Sequence, residues 1–115
     1  MTLKENLRTL QEFSQMKQNW YSPEEGTPIS KKVIRKAKKL LRYLGNYQPY
    51  IYPTIDGNIQ LEFDGMKEHD HIEIVVMDDR IEYFQMLNKD TIDVNNLSLT
   101  LVPKYVKLFF KEELT

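Results

Sequence analysis

Hydrophobic residues recur at helical spacing in the first part of the chain. They lie three or four positions apart, at Leu3, Leu7, Leu10, Phe13 and Met16. This period predicts an amphipathic helix from Thr2 to Gln18 with one buried stripe. Thr2 and Glu5 have the spacing of a capping box, in which each side chain satisfies a free amide at the start of the helix.

A second amphipathic pattern predicts a helix from Lys31 to Leu44. Ser30 is a good N-cap in front of it, and Gly45 suits the left-handed position that follows a helix. The predicted buried stripe consists of Val33, Ala37, Leu40, Leu41 and Leu44. Cations cover the rest of this helix, at Lys31, Lys32, Arg35, Lys36, Lys38, Lys39 and Arg42. The polar connection between the two helices holds Trp20, the only tryptophan of the chain.

From Tyr47 onward the hydrophobic pattern alternates, as it does in strands. It predicts four strands, at Tyr50 to Ile55, Asn58 to Asp64, His71 to Val76 and Ile81 to Leu87. The inward face of the fourth strand stays ambiguous because Tyr83 and Phe84 are both aromatic. Short turns such as Asp56-Gly57 favour an antiparallel meander, since parallel neighbours need long crossovers. The polar stretch from Thr91 to Asn96 is expected to be a loop.

Helical spacing returns near the end of the chain. It predicts a last helix from Leu101 to Glu113, with Pro103 in the first turn, where a missing amide costs no hydrogen bond. The sequence therefore predicts an α+β fold in a single domain of residues 1–115. Its elements are two N-terminal helices, a four-stranded antiparallel meander and a C-terminal helix, with the helices covering the apolar face of the sheet.

Two motifs lie around the joint between the first two helices and the first hairpin. Asn19-Trp20 precedes a glycine and Pro28-Ile29, and Pro53-Thr54 precedes Gly57 and the run Ile59-Gln60-Leu61-Glu62-Phe63. These residues resemble a group of small uncharacterised bacterial proteins with the pattern Asn-Trp-Asp-Gly-Tyr-Gly-Ala-x-Pro-Ile and then Pro-Thr-x-x-Gly-x-Ile-x-Leu-Glu-Trp. The chain departs from the pattern at Tyr21 to Glu25, where the Asp-Gly is missing, and at Phe63, where the pattern has tryptophan. The resemblance implies a bacterial or phage origin and a shared fold, and it implies no activity.

The net charge of −1 conceals a segregation along the chain. Residues 1–49 carry 10 basic and 4 acidic side chains, residues 50–93 carry 3 and 11, and residues 94–115 carry 3 and 2. Clustered charges of this kind can steer a charged partner. They also predict a homodimer in which a single two-fold contact places the basic helix of one copy near the acidic strands of the other.

Composition narrows the cellular setting. The absence of cysteine excludes disulfides and thiolate catalysis and fits a cytoplasmic protein. The charged N-terminal residues show no signal-peptide core, and no apolar run approaches the roughly 20 residues that a membrane span needs. We therefore expect a cytoplasmic protein without a membrane interaction.

Candidate catalytic residues are sparse. His69 and His71 have a spacing that allows both to bind a divalent metal together with a carboxylate such as Glu73, but a catalytic zinc site normally has three protein ligands. Carboxylates on the wet strand faces lack the desolvation that raises the pKa of a general acid. No phosphate-binding loop or nucleophile elbow is present. We expect a protein that is not an enzyme, with no cofactor and no metal, and a small metal-dependent hydrolase is the least favoured alternative.

These patterns favour a bacterial or phage protein that acts by binding another protein, of the antitoxin-like or anti-defence type. The expected partner-binding residues are Trp20, Tyr21, Tyr50, Tyr52, Glu62, Glu73 and Tyr83. The alternative is a nucleic-acid-binding protein that uses the basic helix, with phosphate contacts from Lys32, Arg35, Lys36 and Lys39. The acidic middle of the chain disfavours this alternative because it repels phosphate.

Overall fold

Three helices lie on one face of a five-stranded antiparallel sheet in the computed structural model, which describes residues 1–115. The helices are α1 (Leu3–Phe13), α2 (Lys31–Leu44) and α3 (Val102–Glu113). The strands are β1 (Tyr50–Pro53), β2 (Ile59–Asp64), β3 (His71–Val76), β4 (Ile81–Leu87) and β5 (Asp90–Val94), in that order across the sheet. The predicted α+β class is confirmed, although the sheet has five strands rather than four.

The first helix begins where the sequence places it but ends earlier. The Thr2 hydroxyl accepts a hydrogen bond from the Glu5 amide (3.1 Å), and the Glu5 carboxylate accepts one from the Thr2 amide (3.0 Å). The capping box is therefore confirmed. The helix ends at Phe13 rather than at Gln18. Met16 keeps the helical spacing but packs against the core from the segment just after the turn at Ser14 and Gln15.

The connection that follows α1 folds back on itself. The amide of Asn19, which has a left-handed φ of 62°, bonds to the carbonyl oxygen of Gly26 (2.7 Å). The indole of Trp20 donates to the carbonyl oxygen of Thr27 (2.8 Å). A side chain on Gly26 would approach the amide nitrogen of Tyr21 to 2.7 Å, so the loop closes only around a glycine.

The second helix has the predicted bounds, Lys31–Leu44. The Ser30 hydroxyl accepts from the Val33 amide (3.1 Å), and Gly45 has a positive φ of 60°. The start therefore follows the predicted cap chemistry, whereas Gly45 has the positive φ but, with a ψ of −116°, not the left-handed helical conformation. The third helix starts one residue later than predicted, at Val102, with Pro103 in its first turn.

The fifth strand, β5, corrects the expected loop at Thr91 to Asn96. Asn88 and Lys89 both have positive φ angles, 51° and 71°, and Leu87 pairs with Asp90. They therefore form a two-residue turn of the type that suits the twist of a hairpin. The sequence conceals this hairpin because lysine is unusual at such a position. The alternating hydrophobic signal is also absent, since almost all of β5 is exposed.

The core lies between the helices and one side of the sheet. Fully buried side chains of β2 and β3, such as Ile59, Leu61 and Ile74, meet the buried stripe of α2, and β4 meets α3. Alternate residues of these strands point away from the helices. One face of the sheet thus carries the core, and no element covers the other.

Lys36 fastens α2 to the turn between β3 and β4. Its ammonium group donates to the carbonyl oxygens of Met77 (2.6 Å) and Asp78 (3.0 Å). The Ser30 hydroxyl donates to the Asp78 carboxylate (2.9 Å) at the same place. One of the seven cations of the helix therefore has a structural role.

We expect Lys36→Met to lower the free energy of unfolding by about 1–2 kcal/mol, because two carbonyl oxygens lose a charged donor. Urea denaturation followed by circular dichroism measures the change. Lys32→Met is the matched control on the same helix, since Lys32 is exposed and makes no such bond. Equal stability of the two variants would contradict the structural role of Lys36.

Candidate functional site

The sheet face that no helix covers is the main candidate for a functional surface. We call it the open face. Its side chains are Tyr50, Tyr52, Gln60, Glu62, Asp64, His71, Glu73, Val75, Glu82, Phe84, Met86, Thr91 and Asp93. Five of them are carboxylates, and they lie beside exposed aromatic rings. Sequence reasoning did not assign Phe84, Met86, Thr91 and Asp93 to this face, because β4 carries large apolar residues on both sides and the sequence predicts a loop where β5 lies.

One row of this face crosses all five strands. The register places Tyr50 opposite Glu62, Glu62 opposite Glu73, Glu73 opposite Phe84, and Phe84 opposite Asp93. Side chains directly opposite each other in an antiparallel pair have Cβ atoms about 5 Å apart. The row therefore brings three carboxylates and two aromatic rings together, including three of the predicted partner-binding residues.

Glu62 and Glu73 form a like-charged pair on adjacent strands. The Gly65 amide bonds to the Asp70 carbonyl oxygen (2.7 Å) where this hairpin closes, and hydrogen-bonded and non-hydrogen-bonded pairs alternate along the two strands from there. Glu62 and Glu73 therefore face each other as a non-hydrogen-bonded pair. Side chains of such pairs approach each other most closely. Like charges in this position destabilise a sheet. No lysine or arginine nitrogen lies within 4.0 Å of either carboxylate.

The side chain of His71 lies next to this pair. Its Nδ1 lies 2.7 Å from the carbonyl oxygen of His69, and its Nε2 lies 3.5 Å from the carboxylate of Glu73. Its ring also contacts the Phe84 ring, with centroids 5.7 Å apart. A concavity of 460 Å³ opens over this hairpin. The imidazole of His69 points elsewhere, with Glu68 at 3.8 Å, so the two histidines do not converge.

The structure contains no group of three or more histidine, cysteine or carboxylate side chains arranged to hold a metal ion. The two histidines contact a backbone carbonyl and single carboxylates instead. Neither forms the nucleophile, base and orienting group that a catalytic arrangement requires.

Tyr83 is wrongly predicted as a partner-binding residue. It is fully buried on the helix side of β4, where its hydroxyl donates to the Gln85 side chain (2.7 Å). Its ring packs against Tyr105, with centroids 5.2 Å apart. Burial raises the pKa of Tyr83. The sequence could not assign its face because β4 carries large hydrophobic residues on both sides.

The remaining predicted aromatics have different positions. Tyr50 and Tyr52 lie on the open face and are 48% and 45% exposed. Trp20 and Tyr21 lie in the connection between α1 and α2 and pack edge to face, with centroids 6.0 Å apart. Trp20 closes that loop, while Tyr21 is exposed. Of the five predicted aromatic residues, two thus lie on the open face, two lie in the connection between α1 and α2, and one is buried.

The basic surface of α2 lies on the opposite side of the molecule. Its exposed cations are Lys31, Lys32, Arg35, Lys38, Lys39 and Arg42. None of them has a carboxylate within 4.0 Å. Helix and open face are separated by the core, so one two-fold contact cannot join the basic helix of one copy to the acidic strands of another. The single-contact arrangement expected from the charge pattern therefore does not fit this fold, and the homodimer itself stays a prediction.

Comparison with protein families, curated proteins and solved structures finds no match to the chain. None of the helices combines the length and the apolarity of a membrane span.

We expect Tyr83→Phe to lower the free energy of unfolding by about 1–3 kcal/mol, because the buried Gln85 side chain loses its donor. The matched control is Tyr52→Phe on the open face, whose effect should stay within about 0.5 kcal/mol. Urea denaturation measures both. A Tyr83→Phe protein as stable as the control would contradict the structural role of this hydroxyl.

Proposed function

We propose that this protein acts by binding another protein, and that its open face is the binding surface. The opposed carboxylates of Glu62 and Glu73, on a sheet face that no helix covers, carry this proposal. The partner presents lysine or arginine side chains that fall between these carboxylates. Such a contact relieves a repulsion that the free protein contains.

The energetics of the row support a binding role. Like charges directly opposite each other cost a sheet several tenths of a kcal/mol relative to neutral residues. A guanidinium or ammonium group between Glu62 and Glu73 converts this repulsion into two attractions. Strained or repulsive features that the fold itself does not need are concentrated at functional sites.

The aromatic side chains beside the carboxylates support the same reading. Tyr50 and Tyr52 are about half exposed at one side of the face, and Phe84 is half-buried near its centre. Tyrosine is enriched among the interface residues that contribute most to affinity, because it buries a large area and still forms a hydrogen bond. Carboxylates around these rings provide the polar rim of the interface.

The proposed activity is inhibition or sequestration of the partner. A protein that works through surface contact needs no catalytic group, and antitoxin-like or anti-defence proteins are of this kind. The sequence resemblance to small bacterial proteins supports a bacterial or phage setting. The absence of cysteine supports action in a reducing cytoplasm.

The charge reversal Glu62→Lys tests this proposal. It replaces the like-charged pair with an opposite-charged pair, so the free energy of unfolding should rise by up to about 1 kcal/mol. Affinity for the cationic partner should fall at least about tenfold, because one carboxylate is lost and a repulsive charge is gained. Partner capture from lysate of the source cells, quantified by mass spectrometry, and urea denaturation measure the two effects.

Glu12→Lys is the control, because it makes the same charge change at an exposed position of α1 on the helix side. A captured protein that is lost with Glu62→Lys and kept with Glu12→Lys supports the open face. If both variants capture that protein as well as the unmodified chain does, the proposal that the open face is the binding surface is refuted.

The unpaired cations of α2 favour nucleic-acid binding as the second candidate function. Six exposed positive charges without a neighbouring carboxylate can neutralise phosphates and release counterions. The structure removes Lys36 from the predicted contact set, because its ammonium group is already bound to two carbonyl oxygens. The remaining predicted contacts are Lys32, Arg35 and Lys39.

Replacement of Lys32, Arg35 and Lys39 together by glutamate should abolish binding to DNA or RNA if the helix has this function. Binding of the unmodified protein should weaken steeply with salt, since each phosphate contact releases a counterion. Fluorescence anisotropy with labelled duplex DNA and single-stranded RNA over a salt series measures both effects. A protein that binds neither at low salt lacks this function.

A further inference from the structure

The two edges of the sheet differ in the main-chain groups that they expose. Directly after β1 the Thr54 amide bonds to the Asn58 carbonyl oxygen (2.9 Å), so Tyr52 and Tyr50 also bond toward β2. The main-chain groups of Ile51 and Pro53 therefore point away from the sheet, and proline has no amide to donate. α1 also packs against this strand. The β1 edge is thus a poor template for a further strand.

The β5 edge has no such protection. In a two-residue hairpin the residues that flank the turn bond to each other, so Asp90, Ile92 and Val94 bond toward β4. Thr91 and Asp93 then point their amides and carbonyl oxygens outward. The strand contains no proline, and an unpaired edge of this kind readily pairs with another strand.

An apolar strip of α3 lies beside this open edge. It consists of Leu101, Tyr105 and Leu108, at helical spacing on one flank, and two of its members are 39% and 53% exposed. The Tyr105 ring contacts Tyr83 of β4, which places this flank toward β5. Ile92, itself 42% exposed, points to the same side of the sheet. Ile92 and Leu87 line the groove between β5 and the C-terminal end of α3 together with Asp90, Glu112 and Thr115, and we call this groove the trough.

We propose that β5 pairs with β5 of a second copy of this chain, antiparallel and with the two-fold axis at Ile92. This register places the outward groups of Thr91 opposite those of Asp93 in the other copy. It supplies about four main-chain hydrogen bonds. The two Ile92 side chains then meet in the trough, between the α3 strips of the two copies.

Charge and polarity select this register over its neighbours. A two-fold axis at Asp93 would place two like carboxylates directly opposite each other, which is destabilising. An axis at Thr91 would place the Asp90 carboxylate of each copy directly opposite the apolar Ile92 of the other copy. The axis at Ile92 gives each Asp93 a threonine as its neighbour. Of these three registers, only the axis at Ile92 places the two exposed isoleucines opposite each other.

Association through this edge stops at two copies. Each chain has one open edge, since β1 lacks the outward amide at Pro53 and lies against α1. An isologous contact uses the open edges of both copies and leaves none for a third. The open faces of the two copies then lie side by side in one ten-stranded sheet and remain accessible.

A cysteine at position 92 tests the register in this cysteine-free chain. Ile92 pairs with itself across the axis without mutual hydrogen bonds, so the two Cα atoms lie about 4.5 Å apart, within the range of a disulfide. Ile92→Cys should form a disulfide-linked dimer with oxidised glutathione. Ile55→Cys is the matched control, because Ile55 is similarly exposed, at 38%, near the other edge. Equal cross-linking of both variants would refute the register.

Light scattering of the unmodified protein tests the dimer itself. At about 100 μM we expect twice the single-chain mass of 13.8 kDa. Thr91→Pro should weaken the dimer at least tenfold, because it removes the outward amide that donates to the other copy. Leu114→Lys, an exposed leucine outside the α3 strip, should leave the mass unchanged. A single-chain mass for the unmodified protein at this concentration, or equal association of both variants, would overturn the proposal.

Discussion

The burial of one side of the sheet under α2 is the interaction on which the rest of the structure depends. α2 crosses the central strands, and its buried stripe meets side chains of β2 and β3 that are shielded from solvent. α1 and α3 pack at the two sides of α2 and complete the same layer. Because the helices occupy only this side, the fold leaves a full sheet face in water. The position of every candidate surface follows from this arrangement.

The same layering converts the charge pattern of the chain into a property of two opposite faces. Most cations of the first 49 residues lie on the helix layer, and most carboxylates of the middle segment lie on or around the sheet. The two faces are separated by the thickness of the core. Screening limits their mutual attraction, since the Debye length is about 8 Å at physiological salt. Each face therefore acts on approaching molecules separately, and the molecule as a whole presents an oriented dipole to a charged partner.

The open face and the β5 edge are independent surfaces with different physical origins. The open face is defined by side chains, and its chemistry is that of opposed carboxylates next to aromatic rings. The β5 edge is defined by main-chain groups, and its side-chain contribution comes from the trough beside α3. Both can be occupied at once, because strand pairing extends the sheet within its plane while a partner on the open face binds from outside that plane.

Local patterns in the sequence determined much of this fold. Hydrophobic periods predicted α2, the four strands β1 to β4 and the last helix, and cap chemistry predicted the starts of α1 and α2. These features depend on residues a few positions apart, so a single sequence contains them. The same locality explains the errors. β5 is almost entirely exposed and therefore leaves no alternating signal, and α1 ends at Phe13 although Met16 keeps the helical spacing.

Only the tertiary structure decided which side chains share a surface. β4 carries large apolar residues on both sides, so periodicity could not separate the buried Tyr83 from Phe84 on the open face. The opposition of Glu62 and Glu73 follows from the register of two strands, and the bonds of Lys36 follow from the packing of a helix on a distant turn. The sequence by itself determined which residues tend to be buried. Strand register and helix docking, which join residues far apart in the chain, decided what the exposed ones face.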